Sequence, residues 1–303
     1  MIRRTSFGEY TQYVVRSGDL ELSVMDLGAT VTSLQYRGQE LALHYDAAEA
    51  YLSKVPYICS AIGRYANRIG KARFILNDRE YVLPANEGRN QLHGGPDAYD
   101  RRVWHGESVG ESAVRFELDS PDGDNGFPGN LTAAVTYSLS GESFRIDFEG
   151  LSDADTHYAP TSHMYFVLDG TKSCLETELM IHADQYVEID SELIPTGRLL
   201  PVDGDFDFRT PRPIGRDYDH CFVLTSSHAC TVRAGGVSIE LHTDFPAVQI
   251  YTASAMEEPF QSNCALAIEP EFFPDSPHHP AFPSTVLKKG EKLHKYAEFR
   301  FLP

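Results

Sequence analysis

The first candidate for chemistry in this sequence is Glu269, which follows a short apolar run near the C-terminal end. Residues 264–268 predict a strand that presents this carboxylate and then breaks at once into a loop with prolines at 270, 274, 277, 280 and 283. Because proline fixes its own φ and cannot donate to a sheet ladder, we expect this loop to be stiff. Loops on a rigid scaffold often carry functional groups. An ordinary loop of a β-protein with an exposed glutamate fits the pattern equally well.

The second candidate is His163, which enters a predicted strand that continues with Tyr165 and Phe166. An imidazole in such surroundings can titrate near neutral pH and act as a general acid or a general base. The alternative interpretation is a hydrogen-bonded core histidine without a chemical role.

Further polar residues stand beside predicted turns, where they could bind ligand hydroxyls. Asn67 and Arg68 precede a predicted hairpin, and a planar guanidinium is a more selective donor than lysine. His93 precedes two glycines, which let the backbone turn sharply and a ligand approach. Asp219 leads into an apolar strand. Each has an ordinary alternative: a solvated arginine in a turn, a surface histidine, or an aspartate that caps a turn.

Charge and composition exclude several classes of protein. The formal net charge of −18 argues against nucleic acid and anionic membranes as partners. No segment approaches the roughly eighteen apolar residues of a membrane span, and the first ten residues lack the apolar stretch of a signal peptide. The five cysteines are widely spaced, without a CxxC or zinc-like cluster. They indicate reduced thiols in a cytoplasmic protein.

Alternating apolar and polar residues predict strands along most of the chain. Hairpins are expected at 74–83, around an Asn-Asp turn, and at 131–150. Other expected elements are strands at 114–118, 175–182, 237–242, 248–252 and 297–302 and a short helix at 46–54. Turn signals about every ten residues are typical of an all-β sandwich or barrel. We expect one domain over residues 1–303, built of stacked, mostly antiparallel sheets.

Several motifs, in this order along the chain, resemble those of the aldose 1-epimerases, also called galactose mutarotases. The motifs are Leu-Gly-Ala-Thr-Val-Thr-Ser-Leu at 27–34, Gly-Arg-Tyr-Ala-Asn-Arg-Ile at 63–69, Leu-His-Gly-Gly at 92–95, Ser-His-Met-Tyr-Phe-Val-Leu at 162–168, Asp-Phe-Asp-Phe-Arg at 205–209, Tyr-Asp-His-Cys-Phe-Val-Leu at 218–224, Val-Gln-Ile-Tyr-Thr at 248–252 and the segment 269–284. The resemblance covers most of the chain and implies a β-supersandwich fold.

The resemblance also implies a mechanism. Glu269 matches the general base that removes the proton of the anomeric hydroxyl, and His163 matches the general acid that protonates the ring oxygen. The ring opens to the aldehyde, the C1–C2 bond rotates, and the ring closes on its other face. The positions that hold the sugar hydroxyls are matched by Arg68, His93, Asp219 and Gln249, with Asn67 as a further polar contact. The resemblance implies no metal or organic cofactor.

Two positions depart from the family pattern. Ser162 stands where many members have asparagine, and Glu269-Pro270-Glu271 replaces the usual Glu-Thr-Gln. Strand alternation would put both glutamates on one side if the strand continued, but Pro270 argues against continuation, so Glu271 is expected to face elsewhere or to pair with a cation. If both carboxylates faced the ligand, their repulsion would raise one pKa.

Three functions remain open at this point. The leading one is a cytoplasmic aldose 1-epimerase, monomeric or homodimeric, that acts on a free hexose such as galactose or glucose. A hexose-6-phosphate 1-epimerase would need extra cations near the cleft, for which Arg101 and Arg102 are candidates. A non-catalytic sugar-binding protein on the same fold is the third. The presence of both His163 and Glu269 argues against it.

Overall fold

The computed structural model describes residues 2–53, 57–170 and 173–302 and consists mainly of strands. The strands in the first half of the chain are β1 Arg3–Phe7, β2 Tyr10–Ser17, β3 Leu20–Met25, β4 Thr30–Tyr36, β5 Gln39–Glu40, β6 Ala61–Ile62, β7 Arg68–Ile69, β8 Arg73–Leu76, β9 Arg79–Val82, β10 Gln91–Leu92, β11 His105–Val109, β12 Ala113–Ser120, β13 Leu131–Ser140 and β14 Ser143–Ser152. Those in the second half are β15 Thr156–His157, β16 Thr161–Ser162, β17 Tyr165–Phe166, β18 Glu178–Ile181, β19 Ala183–Ile189, β20 Pro195–Pro201, β21 Arg212–Pro213, β22 Asp219–Leu224, β23 His228–Ala234, β24 Val237–Thr243, β25 Ala247–Tyr251, β26 Leu266–Glu271, β27 Val286–Leu287 and β28 Lys292–Leu302.

Helical structure is sparse in the described part of the chain. One short α-helix, α1, spans Ala50–Ser53. The 3₁₀ helices are Gly70–Ala72, Tyr99–Arg101, Asp124–Gly126, Cys174–Glu176, Gly204–Phe206 and Ser276–His278. Over the described residues, no helix has the length and apolar character needed to cross a membrane.

Three larger sheets make up the architecture. A nine-stranded sheet has the order β11-β12-β13-β14-β28-β24-β23-β18-β21, a six-stranded sheet the order β17-β26-β25-β22-β19-β20, and a five-stranded sheet the order β1 to β5. The paired strands within them are antiparallel, as the sequence predicted. Hairpins between neighbours in sequence alternate with longer connections, so that the C-terminal strand β28 enters the middle of the largest sheet.

The main core lies between these sheets. Phe166 of the six-stranded sheet packs against Phe299 of the nine-stranded sheet, with ring centroids 5.0 Å apart. Tyr36 of the five-stranded sheet packs on Phe301, with ring centroids 5.6 Å apart. These buried aromatic pairs remove large apolar areas from water and hold the sheets in stacked layers.

The expected hairpins are confirmed. β8 and β9 flank the Asn77-Asp78 turn, where both residues have positive φ, as a tight hairpin turn requires. β13 and β14 form the longest hairpin, in register from Leu131↔Ser152 to Ser140↔Ser143.

Two other expectations need correction. The helix expected from Asp46 to Lys54 begins only at Ala50, and Lys54 lies outside the described residues. The strand expected at 175–182 is shortened to β18, because residues 174–176 form a 3₁₀ turn that Ser173 caps.

The prediction for the end of the apolar strand near Glu269 was also wrong. The strand β26 does not stop before Glu269 but continues through Pro270 to Glu271. One neighbour, β25, pairs from Ala267 to Glu271, while the other, β17, pairs only with Leu266 and Ala267. Pro270 therefore lies where one side of the strand has no ladder partner, a position at which the missing N–H is tolerated.

Candidate functional site

The largest group of predicted site residues lines one cleft of about 570 Å³. Its walls include the predicted residues Asn67, Arg68, His93, His163, Asp219 and Glu269. A volume of this size is typical of a small-molecule site. Residues that lie far apart in the sequence thus meet over the inner strands β26, β25 and β22 of the six-stranded sheet and the loops beside them.

Glu269 lines this cleft from strand β26. It lies opposite Gln249 of β25 and is 2% exposed. Two residues further on, Glu271 lies opposite Ala247 and is fully buried. Asn67 donates from Nδ2 to Oε1 of Glu271 at 3.2 Å. The strand alternation therefore places both carboxylates on one side, and Glu271 accepts from a neutral amide, not from a cation.

His163 lies between the short strands β16 and β17. Its backbone N–H donates to Ser60 O, and its carbonyl accepts from Cys59 N–H. The imidazole stacks on Tyr165, with ring centroids 4.5 Å apart. Its Nε2 lies 3.5 Å from Oε1 of Glu269. The loop is thus fixed at both ends, and it holds the imidazole against the carboxylate.

Burial changes the proton affinity of Glu269 and of His163. Burial, followed by the charges of Glu271 and Asp219, raises the pKa of Glu269 well above its ordinary value, with a smaller opposing effect of Arg68. Burial lowers the pKa of His163 to about 3. When this pair carries a single proton, these shifts place it on Glu269 and leave His163 neutral.

Asn67 and His93 hold each other in a tight backbone arrangement. Both have positive φ, 62° and 51°. The backbone N–H of Asn67 donates to Nδ1 of His93 at 3.1 Å, and His93 N–H donates to Asn67 O at 3.0 Å. Since Nδ1 accepts, the neutral ring carries its proton on Nε2, which makes His93 a donor. Burial, then the charges of His163 and Arg68, lowers the pKa of His93 well below its ordinary value.

Arg68 is almost buried and paired on two sides. Its Nε and Nη2 donate to the two carboxylate oxygens of Glu87, each at 2.8 Å. Its Nη1 lies 3.6 Å from Oδ2 of Asp219. This bidentate pairing fixes the guanidinium plane and leaves Nη1 as the nitrogen best able to donate to a ligand hydroxyl.

Asp219 and Gln249 form a second polar pair. Gln249 donates from Nε2 to Oδ1 of Asp219 at 2.5 Å. Gln249 is buried between Asp219 and Glu269 and is not one of the described residues that line the cleft. Its Oε1 has no hydrogen-bond partner among the described residues, as is also true of Oε2 of Glu269 and Nδ1 of His163. Buried polar atoms without partners are costly, which favours a polar ligand at this place.

The proline-rich loop after β26 is tied to the strand that carries Arg68. The backbone N–H of Asp275 donates to Arg68 O at 2.9 Å, and its Oδ1 accepts from Gly70 N–H at 2.8 Å. His278 and His279 also lie beside this buried carboxylate. The loop predicted to be stiff thus buttresses one wall of the cleft.

Several cleft residues were not predicted. The Tyr57 ring packs at a tilt against His93, with ring centroids 4.6 Å apart. Glu87 anchors Arg68, and Tyr251 also lines the cleft. Tyr251 stands two residues after Gln249 on β25 and therefore on the same face of the strand. This spacing could have predicted that Tyr251 lies near the site. No local pattern marks Tyr57 or Glu87.

The same groups could hold a divalent ion. One ligand atom each from His93, His163 and Glu269 lies within 4.8 Å of the others. Imidazole and carboxylate are suitable ligands for zinc. The contact between His163 and Glu269 also suits two neighbouring proton transfers, which need no metal.

Comparison with known proteins identifies the family. The family model described as aldose 1-epimerase matches residues 11–300. The chain belongs to the aldose 1-epimerase family. Among the relatives of this epimerase-family chain, the galactose mutarotase of Mus musculus is 34% identical over 99% of this chain and 98% of its own. The aldose 1-epimerase of Haemophilus influenzae is 34% identical over 93% of this chain and 92% of its own.

Solved structures confirm the fold of this epimerase-family chain. An aldose epimerase homologue from C. elegans superposes with a TM-score of 0.91 at 26% identity, covering 96% of this chain and 99% of its own. A galactose 1-epimerase from Lactobacillus acidophilus gives a TM-score of 0.91 at 23% identity, covering 100% and 98%. The predicted all-β supersandwich of the galactose mutarotase type is therefore confirmed.

Proposed function

We propose that this protein is an aldose 1-epimerase, an isomerase of carbohydrate metabolism that interconverts the α and β anomers of a free aldohexose such as galactose or glucose. The observation that carries the proposal is the contact between Nε2 of His163 and Oε1 of Glu269 at 3.5 Å, inside a cleft lined by hydroxyl-binding groups. The names of the relatives, galactose mutarotase and aldose 1-epimerase, support it.

The chemistry requires an acid and a base side by side. In a pyranose, the anomeric hydroxyl and the ring oxygen are bonded to the same carbon. A base that takes the hydroxyl proton and an acid that protonates the ring oxygen must therefore be neighbours, as Glu269 and His163 are. Each such proton transfer contributes about 10²–10⁴-fold to the rate.

The proposed reaction proceeds through the open-chain sugar. Ionised Glu269 removes the proton from O1, the C1–O1 double bond forms as the C1–O5 bond breaks, and protonated His163 gives its proton to O5. After rotation about C1–C2, O5 adds to the other face of the aldehyde. His163 then takes back the O5 proton, and Glu269 returns its proton to O1.

The pKa shifts of the pair fit the middle of this sequence. While the sugar is open, Glu269 is protonated and His163 is neutral. Burial raises the pKa of Glu269 and lowers that of His163, so this environment favours that pair of protonation states. The site is thereby adapted to the stage at which an exposed aldehyde must be held.

The open-chain sugar must stay bound while C1–C2 rotates. We assign this clamp to Arg68, His93 and Asp219, with Asn67 and Gln249 holding them in place. His93 offers an Nε2–H donor, Arg68 offers Nη1, and Asp219 offers an acceptor. Fixed donors and acceptors reduce the entropy that the reaction would otherwise lose.

The charge of the cleft favours a free sugar over a sugar phosphate. Arg68 is the one cationic side chain among the described residues that line it, and it already pairs with Glu87 and Asp219. Arg101 donates to Leu52 O, and Arg102 pairs with Asp97 and Asp124, so neither forms part of the described cleft lining. A phosphate dianion would lack a cationic partner here.

We also propose that this protein is cytoplasmic and that one domain spans residues 1–303. All five cysteines are free thiols, which suits a reducing compartment. The family match over residues 11–300 supports one domain.

The experiment that tests this function is exchange NMR on equilibrated sugars. Magnetisation transfer between the α and β anomeric protons of galactose, glucose and galactose 6-phosphate is measured with and without protein. We expect faster exchange for the free sugars, unchanged by EDTA, and little or none for the phosphate. Acceleration confined to the phosphate would favour the sugar-phosphate epimerase, and binding without acceleration would favour a sugar-binding protein.

A further inference from the structure

A second cluster of ligating side chains lies on the nine-stranded sheet. His228 of β23 and His242 of β24 are cross-strand partners, and Glu240 precedes His242 by two residues on the same face. His182, directly after β18, joins them, since its backbone N–H donates to Ala229 O. We call His182, His228, Glu240 and His242 the histidine cluster.

The side chains of the histidine cluster are in close contact. The ring centroids of His228 and His242 are 4.7 Å apart at an interplanar angle of 18°, and those of His182 and His228 are also 4.7 Å apart. Nε2 of His242 lies 3.5 Å from Oε2 of Glu240. One ligand atom each from His228, Glu240 and His242 lies within 4.8 Å of the others. This spacing suits three ligands around one small ion.

The chemistry of the histidine cluster favours a transition-metal cation. Imidazole nitrogens and a carboxylate oxygen are the ligand types that zinc-class ions bind in proteins. The Thr231 hydroxyl lies 3.0 Å from Nε2 of His228, and a hydrogen bond of this kind orients a ligating ring. His228, Glu240 and His242 are half-buried, so an ion can reach them.

We propose that His228, His242 and Glu240 bind one divalent transition-metal ion of the zinc class, with His182 flanking the ion. Two imidazoles and one carboxylate are a common zinc ligand set, in which water completes the tetrahedron. The ion would connect the neighbouring strands β23 and β24 and so stabilise the folded state. It would take no part in the reaction proposed for the cleft, because none of its ligands lines that cleft.

The test is a calorimetric titration of untagged, chelator-treated protein with zinc chloride. The variants are His228→Ala with His242→Ala, His163→Ala for the cleft, and His105→Ala as a matched control from the exposed strand β11. We expect about one ion per chain at the histidine cluster in wild type, His163→Ala and His105→Ala. Removing both imidazoles should weaken that binding at least about tenfold, since even outer contacts of a metal site change affinity by about 10–100-fold.

A milder variant and a second readout separate binding from folding. Glu240→Gln keeps the size of the side chain and removes its charge, and it should also weaken binding of zinc. Zinc should raise the melting temperature of wild type but not of the double variant. The proposal would be overturned if wild type did not bind zinc, if binding disappeared only in His163→Ala, or if binding survived in the double variant.

Discussion

Nε2 of His163 lies 3.5 Å from Oε1 of Glu269, and both side chains are almost fully buried. The two groups reach this place from different elements, a loop between two short strands and the middle of β26. Because burial moves their pKa values in opposite directions, the pair holds one proton over a wide pH range. In the proposed reaction the pair keeps one proton in total, because Glu269 takes a proton from O1 while His163 gives one to O5.

Arg68→Ala should weaken sugar binding at least about tenfold, because a hydrogen bond to a charged group contributes about 1.5–3 kcal/mol. Loss of the guanidinium also leaves Asp219 without its cationic neighbour. The measurement is a calorimetric titration with galactose. Arg89→Ala is the matched control, since Arg89 pairs with Glu192 at the exposed surface. Equal affinity in Arg68→Ala and Arg89→Ala would show that Arg68 does not contact the sugar.

Glu271→Gln should move the alkaline limb of the rate profile to lower pH. The pKa of Glu269 is raised most by burial and next by the charge of Glu271. Glutamine at position 271 removes that charge. Its amide oxygen can still accept from Asn67, so the packing is kept. The measurement is kcat/KM against pH, which reports the free enzyme. A profile identical to those of wild type and of the surface control Glu192→Gln would contradict this coupling.

Stability should fall as the pH is lowered from about 6.5 to about 4, in part because of His157. Burial, then the charge of His278, lowers its pKa to about 4, and it packs on Phe74 and hydrogen-bonds Thr285. In this window the unfolded chain binds a proton at His157 that the folded chain does not. Acid therefore favours unfolding, by up to about 3 kcal/mol.

Urea unfolding at several pH values measures this effect. The free energy of unfolding of His157→Gln should depend less on pH between 4 and 6.5 than that of wild type or of the surface control His105→Ala. Equal slopes for all three proteins would place the acid sensitivity elsewhere.

Local patterns in the sequence were sufficient to predict much of the fold. The alternation over 131–150 predicted a hairpin, and the structure has it in full register. The Asn77-Asp78 turn was predictable because few residues adopt positive φ easily. The end of β26 was not predictable, because whether Pro270 is tolerated depends on where the neighbour β17 stops pairing. That information lies in the tertiary arrangement.

The site was predictable only in part for the same reason. Asn67, Arg68, His93, His163, Asp219 and Glu269 stand at motifs in the sequence, and they line one cleft. Glu87 lies in no such motif, and only the fold shows that it fixes the guanidinium of Arg68. The placement of Glu271 beside Asn67 likewise depends on the continuation of β26.

The most direct test of the account is polarimetry on freshly dissolved α-D-galactose with wild type and Glu269→Gln, each checked for sugar binding. Glutamine keeps the shape of the side chain and removes the base. We expect wild type to speed the approach to the unchanged equilibrium rotation, and Glu269→Gln to lose at least about a hundredfold in rate while it still binds galactose. Full activity of Glu269→Gln would contradict the role of Glu269 as the base.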